Sequence, residues 1–112
     1  PDEKAARSAA IQSANKYAAE IPLRVMETAM KAYRLLAEMA EQGNPASISD
    51  VGVGLLAVRA CIEGAGMNVR INLSGLEDEA FRSSLREKMQ RIASESEREF
   101  AQARAIVENK LG

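Results

Sequence analysis

A chain of 112 residues carrying 15 basic and 16 acidic side chains, net charge −1, offers no field for a phosphate backbone, so nucleic acid is not an expected partner. Histidine is absent and Cys61 is the single cysteine, which removes the usual neutral-pH base, the commonest zinc ligand and any internal disulfide, and no metal site is expected. No uninterrupted apolar run approaches the roughly 20 residues of a membrane span and the opening PDEKAARSAA lacks a signal peptide's apolar region, so the expectation is a cytoplasmic protein without a membrane partner.

Aromatics make up 4% of the chain and tryptophan none, so the core is expected to be built from small and aliphatic side chains, which favours an all-α array of about four helices. The first segment starts at an Asp2 cap and runs through Ala6, Ala10, Ile11, Ala14 and Tyr17. Pro22 cannot donate to a helical ladder, which predicts a break or kink near Ile21. The second carries Leu23, Met26, Met30, Tyr33, Ala37 and Ala40 at steps of three and four residues. Gly43 is expected in the left-handed conformation after its end, with Pro45 blocking continuation. The third, residues 51–73 behind a Ser49 cap, has only Arg59, Glu63 and Arg70 as charges and is expected to be buried on most sides. Ala57, Ala60 and Gly64 would let another helix approach closely, and Gly52 and Gly54 would admit a ligand to the first turn. The last, residues 78–111, is about 50 Å long at about 1.5 Å per residue, with Ser74 and Glu77 at capping-box spacing and Asp78 an alternative cap. Cys61 and the sulfurs of Met26, Met30, Met39 and Met89 read as core filler.

Chemistry is concentrated in the stretch GNPASISDVGVG, residues 43–54, and in the amides that interrupt the apolar third segment. Ser49 and Asp50 at a helix start cap it and complement its dipole, and the same position suits a ligand. Asn68 and Asn72 are one helical turn apart on an otherwise apolar face, so their amides need partners, either the next helix or a ligand.

The stretches IPLRVMETA, QGNPASISDVGVGLLAVRACIEGAGMNVRINL and LEDEAF resemble the C-terminal half of the cyclodeaminase/cyclohydrolase family of folate enzymes. The resemblance implies an all-helical enzyme of one-carbon metabolism, working as a dimer or larger assembly and needing no cofactor beyond its tetrahydrofolate substrate. It also implies a further N-terminal half with a glycine- and serine-rich segment, to which nothing in residues 1–112 corresponds. The chain by itself is therefore expected to be inactive or nearly so, with its apolar third segment partly uncovered until another chain or segment packs on it. Cyclodeamination and cyclohydrolysis both pass through a tetrahedral carbon between two nitrogens. They need a carboxylate near a cation and amides that fix a polar pterin. Asp50 is the candidate catalytic carboxylate, Asn44 and Ser49 candidates for holding the pterin or a water, and Asn68 with Asn72 the candidate amides, all expected to line one cleft in the assembled protein. The competing expectation is a non-catalytic helical module that dimerises through its long last helix.

Overall fold

Pro22 does not divide the first half of the chain. In the computed structural model, which describes residues 1–112, Asp2–Gln42 is one continuous helix, α1, with Pro22 inside it. A proline there leaves the carbonyl of Ala18, four residues earlier, without its helical donor. Asn72, on the neighbouring helix, donates its Nδ2–H to that carbonyl at 3.1 Å. The expected break is thus replaced by a tertiary hydrogen bond, and the first two predicted helices are one.

α1 stops at Gly43, which is extended rather than left-handed, at φ −76° and ψ 177°. Glycine is needed for a different reason: a Cβ at this position would run into the Met39 carbonyl, while the Gly43 N–H closes the last turn onto that same oxygen at 2.9 Å. A single 3₁₀ turn, Pro45–Ser47, follows, with Asn44 Oδ1 accepting from the Ala46 N–H at 3.0 Å. The second helix, α2, is Ile48–Leu73, so Ser49 lies inside its first turn and is not its cap; Ser47 holds that position without a side-chain bond. The third, α3, is Glu79–Leu111, capped by Asp78, whose Oδ1 accepts from the Phe81 N–H at 3.1 Å. The capping box from Ser74 does not form: its hydroxyl donates back to the Ile71 carbonyl at 2.6 Å.

The three helices run up, down and up in an array of 67 × 19 × 16 Å. Gln12 ties α1 to the α2–α3 turn from both sides, its Nε2 donating to the Gly75 carbonyl and its Oε1 accepting from the Glu77 N–H. At the other end the Lys110 ammonium caps α1 by donating to the carbonyls of Ala40 and Glu41. That replaces the basic residue α1's own last turn lacks. Met26, Tyr33, Leu55, Ile62, Val69 and Leu73 are the large side chains sealed in the centre, with Ser96 the buried polar one. Gly52 and Gly54 allow close helix contact, since a Cβ on them would lie 3.2 Å from Val107 and 3.1 Å from Leu36.

α2 contributes buried residues on one face only. Leu55 is 1% exposed and the adjacent Leu56 52%. Two neighbouring helices cannot surround a third, so the expectation that this segment is buried on most sides fails: Val53, Met67 and Ile71 face solvent. Cys61 and Met39 are likewise exposed and not core. By length and composition alone Pro45–Leu73 would suffice to cross a membrane, contrary to the expectation from unbroken apolar runs. α2 joins α3 through polar contacts: Arg59 pairs with Glu97 at 3.2 Å and lies 4.6 Å over the Phe100 ring.

Candidate functional site

The five candidate residues fall into two groups at opposite ends of α2. Asn44, Ser49 and Asp50 gather where the 3₁₀ turn enters the helix, and all three are exposed. Asn68 and Asn72 lie near the helix's C-terminal end. At about 1.5 Å per residue, Asp50 and Asn68 are about 27 Å apart along one straight element. The expected single cleft is therefore not formed within one chain, because both groups are fixed to the same helix.

The two amides differ in what they already do. Asn72 is half-buried and its Nδ2 donates to the Ala18 carbonyl and, at 2.9 Å, to the carbonyl of Asn68 one turn back. It satisfies the next helix, the first of the two options its sequence position leaves. The Asn68 side chain is exposed and makes no hydrogen bond within the chain, so its donors and acceptor are free for a ligand. Both residues open onto a groove of about 570 Å³ between α1 and α2, walled by Tyr17, Ile21, Val25 and Cys61. No charged side chain lines it. An apolar trough with a phenol at one wall and an amide edge at the other suits a neutral aromatic heterocycle that presents hydrogen-bonding groups along its rim.

At the other end, Ser49 borders a smaller hollow of about 190 Å³ with Gly52, Val53, Phe100 and Arg104. Asp50 forms no ion pair. A carboxylate in the first turn of a helix complements its dipole and, unpaired, is available to a cation. Sequence reasoning missed Tyr17 and Cys61 as groove residues. The signal was present: Tyr17, Ile21 and Val25 recur at four-residue steps and form a second apolar stripe on α1, but a stripe does not say whether the chain covers it.

Two titrating groups are perturbed, and both fasten helices together. Tyr33 donates to or accepts from Ser96 at 2.9 Å in the centre of the array; burial pushes its phenol up from 10.0, partly offset by that hydrogen bond. The Asp78 carboxyl is held below 3.8 chiefly by the hydrogen bond from Lys16, at 2.8 Å, and then by the Phe81 N–H.

The array, three helices with a 3₁₀ turn entering an apolar, amide-bearing second helix, is of the all-α class. Residues 1–91 match the family model described as formiminotransferase-cyclodeaminase, and the chain belongs to that family. It is 37% identical over 95 residues to the methenyltetrahydrofolate cyclohydrolase of Methylorubrum extorquens, a match that covers 85% of this chain and 46% of that protein. It is also 34% identical over 101 residues to the formimidoyltransferase-cyclodeaminase of Sus scrofa, covering 90% of this chain and 19% of the larger protein. The similar protein of Dictyostelium discoideum matches at 34% over 104 residues. The chain thus spans about half the length of the first relative and about a fifth of the others.

Proposed function

We propose that this chain is part of an enzyme acting at the C–N bond of the one-carbon unit of a tetrahydrofolate, of methenyltetrahydrofolate cyclohydrolase or formiminotetrahydrofolate cyclodeaminase type. The observation that carries the reading is the family match across residues 1–91 combined with the free Asn68 amide on the α1–α2 groove. In this reading the pterin lies in the groove, its polar edge on Asn68 and its ring against Tyr17, Ile21 and Val25. Asn72 positions α1 beneath it by holding the Ala18 carbonyl. Water adds to the cationic methenyl carbon with loss of a proton, and the tetrahedral adduct opens at one C–N bond to give the formyl product; in the cyclodeaminase variant N10 of 5-formiminotetrahydrofolate adds to the formimino carbon, and that adduct, protonated on the former imino nitrogen, expels ammonia to leave the methenyl bridge. Asp50 supplies the carboxylate from a second copy or from a further segment, because its own chain keeps it about 27 Å from Asn68. Asn44 and Ser49 act with it on the water or the pterin. Assembly into a homo-oligomer belongs to the same reading, which needs no cofactor besides the folate and a cytoplasmic setting.

A second reading, a non-catalytic helical module, is favoured by one specific observation: the apolar side chains left bare on α1 and α2. Titration with 5,10-methenyltetrahydrofolate separates the two. The enzyme reading expects saturable binding that weakens by about tenfold, a single lost hydrogen-bonding group, in Asn68→Ala. Self-association without any folate binding would decide for the module.

A further inference from the structure

Glycine is a poor residue for the interior of a helix, and alanine in the same place is more stable. Close contact with Val107 and Leu36 explains Gly52 and Gly54, but no such contact explains Gly66. It is buried, its φ is not positive, and a Cβ on it would meet only Met26, at ordinary contact distances of 3.5 Å to Cε and 3.9 Å to Sδ. What the missing side chain leaves is space. Gly66 on α2 and Ala93 on α3 border a hollow of about 480 Å³ between the two helices, floored by Met26, Ile62 and Met89. It lies on the α3 side of α2, whereas the adjacent Ala65 borders the groove shared with α1.

The charges of this hollow are sorted by position. At one end Glu63 and Glu97 are both taken by Arg59, whose Nε lies 3.3 Å from the first and 3.2 Å from the second. At the other end, about 10 Å along α2 from Glu63, the exposed Arg70 forms no ion pair. α3 runs antiparallel to α2 with Glu97 against Arg59, so Gln90 comes level with Gly66 and Arg86 with Arg70. The Gln90 amide is exposed at the rim, and Arg86 too has no carboxylate bound to it. An apolar floor between an acidic end already neutralised and a basic end still unpaired suits a slender apolar molecule that ends in a carboxylate.

We propose that the α2–α3 hollow is a binding site for an arylalkyl carboxylate. The carboxylate sits on the Arg70 guanidinium and the Gln90 amide, and the apolar body lies over Met26, Ile62 and Met89 in the space that Gly66 leaves. The site stands apart from the folate reading, whose groove is on the other side of α2.

The probe is 4-phenylbutyrate, and the methionine methyl groups report on it by NMR. Met26, Met67 and Met89 line the hollow, whereas Met39 is exposed on α1 outside it and registers non-specific apolar binding. Titration should move the first three signals along one saturating curve and leave Met39 in place. Replacing the probe by 4-phenylbutyramide, the same body without the charge, and replacing Arg70→Gln should each raise the apparent Kd at least about tenfold, the loss of one charge-assisted contact. Gly66→Ala should raise the thermal midpoint. Shifts at Met39 that match the other three, equal affinity for the amide, or unchanged affinity in Arg70→Gln overturns the proposal. A midpoint that falls in Gly66→Ala also overturns it, since the glycine would then be serving the fold. A free acid and the glutamyl end of a folate share this chemistry, and repeating the titration with saturating 5,10-methenyltetrahydrofolate separates them: displacement assigns the hollow to the folate's tail, and undisturbed binding assigns it to a free acid.

Discussion

The centre of the array is held by one hydrogen bond between two side chains that are each 1% exposed, Tyr33 and Ser96. Removing either partner leaves the other buried and unpaired, which costs about 1–3 kcal/mol, whereas removing both leaves an apolar contact. Tyr33→Phe and Ser96→Ala are each expected to lose stability in urea unfolding, and the double variant to lose clearly less than their sum. Strictly additive losses would show that the pair is not coupled. Asp78 is a surface counterpart with a pH signature. Its carboxyl is held below 3.8 by Lys16 and the Phe81 N–H, so the folded state binds the proton less well than the unfolded one. The contribution is therefore fully present above that ordinary value and lost as pH falls below it. Asp78→Asn keeps an acceptor for the helix cap but loses the attraction to Lys16. Its thermal midpoint should sit below that of the parent near neutral pH, and the gap should close in strong acid. A gap that widened in acid would reverse the assignment.

At the scale of elements, the unexpected feature is a proline accepted in the middle of a helix of 41 residues. The cost of an interior proline, about 3 kcal/mol, has two parts, the lost hydrogen bond and the clash of the ring with the preceding turn. Asn72 replaces the first part by donating to the stranded Ala18 carbonyl. Pro22→Ala restores the helical donor and should stabilise the chain, while Asn72→Ala should destabilise the parent by about 1 kcal/mol and the Pro22→Ala variant by less. Thermal unfolding of the parent, the two single variants and the double variant measures that coupling; equal effects of Asn72→Ala in both backgrounds would mean the amide does nothing for the proline. The pairing also shows why Asn72 and Asn68, one turn apart, have different duties. The position of α1 decides which amide meets a stranded carbonyl and which meets open groove.

At the scale of the whole molecule, three helices bury one face of α2 and leave another bare, and the same helix keeps Asp50 and Asn68 at opposite ends. In the proposed folate reading, both facts call for a further chain or segment. Residues 1–112 alone are expected to hydrolyse methenyltetrahydrofolate no faster than its spontaneous rate, read from the loss of the methenyl absorbance. Restoring the half that the M. extorquens relative carries outside the matched span should raise the rate above it. Full turnover by residues 1–112 would contradict the division of labour between the two ends of α2.

What the residues alone determine here is what depends on neighbours along the chain: helical class, the stops at Gly43 and Pro45, the long last helix, and a family motif spread over residues 21–81. Local rules carry that information because caps, turns and periodicity act within a few residues. Only the tertiary structure decides whether Pro22 breaks its helix, because the answer lies in an amide 54 positions from the carbonyl it serves. It likewise decides that Leu55 is core and Leu56 surface, that Cys61 is exposed, and that the candidate residues divide into two groups. A stripe of apolar residues records that something must cover it, and which partner does so is a property of packing between distant segments.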